Sequence, residues 1–321
     1  MAAAFTVAAL YRFVRLPEAA AWRAPLQDRL RDAGLCGTLL LAEEGINGTI
    51  AGPDAPLRRF VDQLQRDPRY RGRFADLDVK WSTAEAPPFR RARVRLKREI
   101  VTLGRPGVSP IDPEQTGEYL DPEQWDRLLE DPAVVVVDTR NDYEVQLGTF
   151  ESAAGPAINP QTATFRQLPD AVARSLPPAE QNPRVAMFCT GGIRCEKSTA
   201  YLKSLGYREV YHLRGGILRY LEEVPEPRSR FRGACFVFDR RVAVTHGLRE
   251  TDHELCFACG WPTTARDRQH PDHRPGISCH RCIDRHTPEQ RARFAMRQQQ
   301  SPPPPPPPPP LSAATDTTDA V

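Results

Sequence analysis

Apolar and polar positions change period several times along the chain, and each change marks an element. Residues 5–14 alternate as a strand does, and the next stretch brings Trp22, Leu26 and Leu30 round every fourth position, as a helix requires. Leu39, Leu40 and Leu41 read as a buried strand, residues 43–48 as a turn and residues 49–51 as a returning strand. Leu57, Phe60, Val61 and Leu64 fall on one face of a second helix, and a strand near residues 77–81 closes the unit. The order β-α-β-β-α-β predicts a ferredoxin-like domain over residues 1–88.

Residues 89–130 read as a basic linker. Arg90, Arg91, Arg93, Arg95, Lys97 and Arg98 crowd into it, and basic residues partly alternate there with Val94 and Leu96. A strand with a cationic outer face has that pattern, and so does an edge strand that uses charge against aggregation. Residues 131–228 switch to buried strands alternating with helices. Val134 to Val137 are four valines in a row, and residues 185–188 form a second apolar run. Such runs belong to strands covered on both faces, so a mostly parallel α/β sheet is expected. Residues 229–298 are cysteine-rich, and residues 299–321 hold nine consecutive prolines, a composition expected to stay disordered. The fold class is therefore multidomain, α+β followed by α/β.

A net charge of +3 over 321 residues is too small to argue for nucleic acid by itself, so the local basic run carries that expectation. No apolar run reaches the roughly 18 residues of a membrane span. The first residues lack a basic leader and a cleavage site, so no signal peptide is expected. Eight cysteines without an export signal point to the reducing cytoplasm, where cysteines bind metal or do chemistry.

Two cysteine patterns stand out. Cys189, Thr190, Gly191, Gly192, Ile193 and Arg194 lie between a strand end and a helix running to about Leu205. Successive backbone N–H groups and a helix N-terminus form an anion cradle there, and Arg194 adds a cation. Both favour thiolate over thiol, which makes Cys189 the expected nucleophile. Four residues separate Cys189 from Arg194, where a tyrosine-phosphatase loop needs five, so the cradle suits sulfur rather than phosphate. Cys195 is expected to pack, with a resolving thiol as its alternative. The second pattern pairs Cys256 and Cys259 with Cys279 and Cys282, two CxxC knuckles nineteen residues apart. That spacing is expected to hold a structural zinc ion, the alternative being reduced, metal-free thiols. Cys36 and Cys235 are expected in cores.

With these motifs in hand the chain resembles the rhodanese-domain tRNA uridine hydroxylases. The stretch from Cys189 to Ser198 is similar to their active-site signature. Leu41 to Thr49, Lys97 to Gly104, Asp138 to Glu144, Arg214 to Leu218 and Cys235 to Asp239 match further motifs in the same order. The resemblance implies oxygen-dependent hydroxylation of the wobble uridine of tRNA to 5-hydroxyuridine. Cys189 is then essential, Asp138 and Arg140 support the loop, and Arg93, Arg95 and Lys97 contact RNA. Molecular oxygen is the implied co-substrate, with the electron donor left open. No flavin motif or iron triad can be read from the spacing. Extra residues around Ala153 and Pro156 depart from the family pattern and are expected to enlarge a loop at the pocket rim.

The cysteine loop read alone favours a thiosulfate-type sulfurtransferase carrying sulfur on Cys189. A non-catalytic zinc- and RNA-binding adaptor is the third reading, against which the intact loop argues. Whether Cys189 would add to uracil C6 or work as a persulfide or sulfenate stays open at this level.

Overall fold

The computed structural model describes residues 5–300, in two compact units that meet between Leu255 and Cys256. The proline run lies outside the described residues. In the first unit the chain begins β1 (Phe5–Phe13), α1 (Ala19–Asp32), β2 (Cys36–Ala42), β3 (Gly45–Gly52), α2 (Asp54–Arg66), β4 (Asp78–Ala84) and β5 (Ala92–Leu96). The sheet order is β4-β1-β3-β2-β5. Its first four strands pair antiparallel, in the ferredoxin-like order the periodicities predict.

The turn between β2 and β3 is shorter than expected. It occupies residues 43–44 alone, and Gly45 to Gly48 already pair with Ala42 to Leu39. The alternation then sorts the sheet into two faces. Leu39, Leu41, Ile46, Ile50 and Val94 point to the core shared with Leu26, Leu30, Phe60 and Leu64 of the helices. Cys36, Thr38 and Leu40 take the opposite parity and are only half-buried. Cys36 is therefore not a core residue, because its strand places it on the face the helices leave open.

The expected linker divides between the two domains. Residues 92–96 are the fifth strand of the first sheet, parallel to β2, and Val94 is buried in its core. Further on, β6 (Glu118–Leu120) and α3 (Pro122–Leu128) already belong to the next domain. Asp121 caps α3 with a capping box and Pro122 opens its first turn, two local features that start a helix here.

The domain continues β7 (Val135–Asp138), α4 (Asp142–Val145), β8 (Gly148–Ser152), β9 (Gly155–Pro156), α5 (Leu168–Ser175), β10 (Val185–Phe188), α6 (Ile193–Ser204), β11 (Val210–Leu213) and α7 (Gly216–Glu223). Strands order as β6-β11-β10-β7, all parallel, so the sheet is covered on both faces and its central strand β10 is apolar throughout. Phe150 sits at the centre of an aromatic cluster. Trp125, Phe188, Tyr220 and Phe231 place their ring centroids 5.6, 4.8, 4.7 and 5.2 Å from it, all edge-on. This packing fixes the end of β10, one residue before Cys189.

Two further expectations need correction. The extra residues near Ala153 form the tip of the β8–β9 hairpin, with Ser152 bonded back to Gly155, and they do not line the cleft described below. Residues 229–244 also do not join the cysteine-rich region. β12 (Phe231–Gly233) pairs with β8, and Cys235, Val237 and Val244, in or next to β13 (Cys235–Phe236) and β14 (Ala243–Val244), pack in the core around Phe150. Cys235 is thus a core residue, as expected.

Candidate active site

Cys189 follows β10 directly, and the loop after it runs into the N-terminus of α6. Its residue is fully buried, and its Sγ accepts the Gly192 N–H at 3.1 Å. Burial alone would push the thiol up. Hydrogen bonds from the Cys195 thiol and backbone, the Arg194 charge and the Gly192 N–H outweigh burial and hold it below its usual range. Cys195 is buried too, and its own thiol is pushed up by burial and then by Cys189. It packs as expected, with its Sγ 3.6 Å from Thr139 Oγ1.

The loop owes its shape to what lies on its carbonyl side. Ile217 and Leu218, at the start of α7, donate their N–H groups to the Cys189 and Thr190 carbonyls at 2.9 and 3.0 Å. That leaves the loop's N–H groups for the sulfur. The approach is possible because residue 216 is glycine: a Cβ there would stand 2.6 Å from the Cys189 oxygen, and φ is +66°.

Arg194 differs from expectation. Its guanidinium grips the carboxylate of buried Glu144 at 2.6 and 2.8 Å, and Thr190 Oγ1 joins the same group. The charge-paired fork holds Glu144 below the usual carboxylate range against the effect of burial. Arg194 is therefore an anchored cation that fixes the loop, and only part of its charge reaches Cys189. Glu144 was the missed residue. Its signal was local, since Asn141 and Glu144 form the capping box of α4.

Asp138 and Arg140 lie beneath this arrangement, both wholly buried and bonded to each other at 2.5 and 2.8 Å. Arg140 also donates to the Glu144 and Gly148 carbonyls, and Thr149 donates to Asp138. The pair thus holds α4, α4 holds Glu144, and Glu144 holds Arg194.

One turn beyond Arg194, Lys197 reaches the first domain. Its Nζ is 2.8 Å from both Glu44 oxygens, 2.6 Å from Glu99 and 3.0 Å from the Val101 carbonyl, and the side chain is 1% exposed. Glu44 comes from the β2–β3 turn and Glu99 from just beyond β5. The helix that presents the cysteine loop is therefore locked onto the open face of the first sheet.

Between that face and the loop lies a cleft of about 430 Å³. Tyr11, Thr38, Asn47 and Lys80 line it from the sheet, and Thr190, Gly191, Ile193 and Arg194 from the loop. Phe238, 56% exposed, forms part of another wall, with the Arg194 guanidinium 5.7 Å from its ring centroid. Cys189 itself is not among the lining residues. Arg93 and Arg95 lie opposite Thr38 and Leu40 in register, hence on the cleft side of the sheet at its edge. Both are exposed, as is Lys97, and none of the three has an ion-pair partner among the described residues.

In the second unit the four cysteine sulfurs lie within 4.8 Å of one another. Cys256 to Cys282, Cys259 to Cys279 and Cys279 to Cys282 measure 3.9, 3.8 and 3.7 Å. Zinc–sulfur bonds of about 2.3 Å in a tetrahedron require sulfurs about 3.8 Å apart, so the set fits that ion. No helix among the described residues is long and apolar enough to cross a membrane.

An acylphosphatase-like sheet apposed to a rhodanese-type cysteine loop defines the class of this protein. The family model of the UPF0176 acylphosphatase-like domain matches residues 5–100, and that of the rhodanese-like domain matches residues 121–223. Over 295 residues the chain is 50% identical to the tRNA uridine(34) hydroxylase of Teredinibacter turnerae, covering 92% of this chain and 88% of that protein. It belongs to the tRNA uridine(34) hydroxylase family. Among solved structures, the rhodanese-like domain of an Anabaena protein is 19% identical, covering 37% of this chain and 80% of that one at a TM-score of 0.29. A rhodanese-related protein from Thermoplasma volcanium is also 19% identical, with 32% and 90% covered and a TM-score of 0.26.

Proposed function

We propose that this chain hydroxylates C5 of the wobble uridine in tRNA, with Cys189 as its essential sulfur. The cleft between the sheet and the cysteine loop carries this reading. Its volume lies at the low end for ligand pockets, enough for one extruded base and not for a helix. Aromatic walls such as Tyr11 and Phe238 suit an unstacked pyrimidine, and exposed Arg93, Arg95 and Lys97 suit the phosphates on either side of it. Molecular oxygen is the oxidant this reading adopts, and the reaction then needs a two-electron donor. The protein acts in the cytoplasm, where its substrate is.

In the chemistry we favour, the Cys189 thiolate adds to uracil C6 and makes C5 nucleophilic toward the oxygen donor. Substrate binding must then part the Thr190 and Gly191 backbone, because the sulfur is closed off without it. Thr190, Gly191, Gly192, Ile193 and Arg194 would shape that opening, with Asp138, Arg140 and Glu144 holding it from below. Cys256, Cys259, Cys279 and Cys282 would hold a structural zinc ion, supported by the sulfur spacing, with no part in the reaction. Metal analysis of protein purified without chelator should find one zinc per chain; its absence would refute the assignment.

The decisive measurement is nucleoside mass spectrometry of tRNA from a deletion strain. Loss of 5-hydroxyuridine and its derivatives, restored by the wild-type gene and not by Cys189→Ser, is the expected result. Unchanged levels in a strain without a redundant pathway would sink the proposal. The cradle around Cys189 also suits a persulfide, so thiosulfate and cyanide should be offered to the purified protein. Efficient thiocyanate formation without any tRNA phenotype would favour the sulfurtransferase.

A further inference from the structure

Beside the cysteine loop a buried carboxylate faces the cleft through one hydroxyl. Glu196 lies on α6, one residue after Cys195, and is 8% exposed. Tyr11, on β1 of the other domain, donates its hydroxyl to Glu196 Oε1 at 2.7 Å, and Tyr11 lines the cleft. The same hydroxyl crowds the loop: a Cβ on Gly192 would stand 2.9 Å from it. Tyr119, on β6, is a second tyrosine near Glu196 that draws its pKa down. The other charged groups facing this carboxylate are Asp78 and Lys80 of β4, which pair at 2.7 Å, with the Lys80 Nζ 5.0 Å from the Tyr11 ring centroid. A carboxylate buried across a domain boundary is costly, and ordinary packing does not call for one. The Tyr11 hydroxyl joins it to the cleft.

We infer that Tyr11 and Glu196 form the proton relay that serves C5 of the bound pyrimidine. This deepens the hydroxylase reading above and rests on it. Replacing the C5 hydrogen by oxygen requires that hydrogen to leave as a proton. In the first step the Cys189 sulfur bonds to C6, and the C5=C6 electron pair moves to C5. C5 takes the Tyr11 hydroxyl proton, and the Tyr11 oxygen takes the proton held by Glu196. In the reverse direction C5 gives a proton to Tyr11, and Tyr11 passes its own to the Glu196 carboxylate. The C–H pair becomes the C5=C6 bond, and the C6–S pair returns to Cys189 as thiolate. The same elimination completes the reaction once oxygen is on C5. Neither step consumes an oxidant.

Tyr11 works throughout as a neutral hydroxyl, which suits its surroundings, since burial and then Glu196 keep it protonated. Glu196 is raised to about 7 by burial, against the hydrogen bonds from Tyr11 and Tyr119, so near neutral pH it can both give and accept. Tyr11 is the residue that touches substrate, and Glu196 acts through it as a positioning residue.

The test is tritium release from a tRNA transcript carrying 5-tritiated uridine, with the full-length protein and no oxidant. Wild-type protein should release tritium to water. Tyr11→Phe should release at least about tenfold less, from the usual contribution of a general acid–base group. Glu196→Gln should retain tRNA binding and lose the inflection near pH 7 that the wild-type rate shows. Tyr119→Phe, which leaves the Tyr11 route intact, should keep most of the release and shift that inflection. Equal rates for wild type and Tyr11→Phe, no release by the wild type, or an unchanged pH profile in Glu196→Gln would each overturn the relay. Nucleoside analysis of the same variants in the deletion strain separates the two claims. A wild-type gene that fails to restore 5-hydroxyuridine removes the hydroxylase reading, whereas full restoration by Tyr11→Phe removes the relay alone.

Discussion

The cations of α6 and those of β5 differ first in exposure. Arg194 and Lys197 are almost completely buried, and each meets carboxylates in short, multiple contacts. Arg93 and Arg95 point into solvent without such partners among the described residues. A buried cation leaves water only where carboxylates replace its hydration, so its charge is spent on geometry. An exposed cation keeps its charge available to a phosphate. On this view the α6 pair holds the cysteine loop against the first sheet, and the β5 pair is the one proposed to meet the nucleic acid.

The comparison breaks most readily at Lys197. Lys197→Met leaves Glu44 and Glu99 facing each other without a cation, which should cost about 3–5 kcal/mol. Urea unfolding of the variant would measure it, and a change below about 1 kcal/mol would mean the lock is ornamental. Gly216→Ala should follow, at about 1–3 kcal/mol, because the new methyl meets the Cys189 and Thr190 carbonyls in a backbone region glycine alone enters freely. Its 5-hydroxyuridine yield should fall with its stability, since the N–H cradle is displaced. A stable variant with normal yield would show the loop does not depend on this contact.

Glu196 gives a smaller effect with a definite sign. Its folded value near 7 exceeds the ordinary 4.5, so the folded state holds the proton more tightly than the unfolded chain. The stabilising contribution is full below about pH 4.5 and is lost as pH rises through about 7. Within that window it should fall by at most about 1.4 kcal/mol per pH unit. Glu196→Gln should flatten this part of the urea-derived stability curve, and a parallel curve would contradict it. Last, Arg93→Glu with Arg95→Glu should change stability by less than about 0.5 kcal/mol. The double variant should still weaken tRNA binding and lower its salt exponent by at least about 1 per cation lost. Unchanged binding would reduce β5 to a charged edge.

Much of this architecture was legible in one dimension. The helical faces of α1 and α2, the valine run of β7 and the apolar run of β10 each announce themselves by period, because burial constrains residue type at every turn or alternate position. Errors fell where pairing decides the outcome. Ala92 to Leu96 read as a charged strand inside a linker, because its alternation with Arg93 and Arg95 gives no sign that it joins the first sheet beside β2. Cys36 read as core because its side of the strand depends on register. Residues 229–244 were drawn to the cysteines that follow them, while β12 pairs with β8 far back in the chain. Glu196 was silent for a related reason, since a carboxylate in sequence looks solvated until its partner from another element is known.

The sequence by itself determined the order of elements, the identity of the cysteine loop and the fourfold cysteine set, all of which are local in spacing. It determined that Cys189 would lie in a cradle of N–H groups, because strand, glycine pair and helix start are contiguous. Only the tertiary structure decided what the cradle faces. Lys197 meets Glu99 across 98 residues of chain and Tyr11 meets Glu196 across 185, and the open face of one domain becomes a wall of the other's site. Contacts of that separation depend on how two finished layers pack, and packing leaves no period in the sequence of either layer.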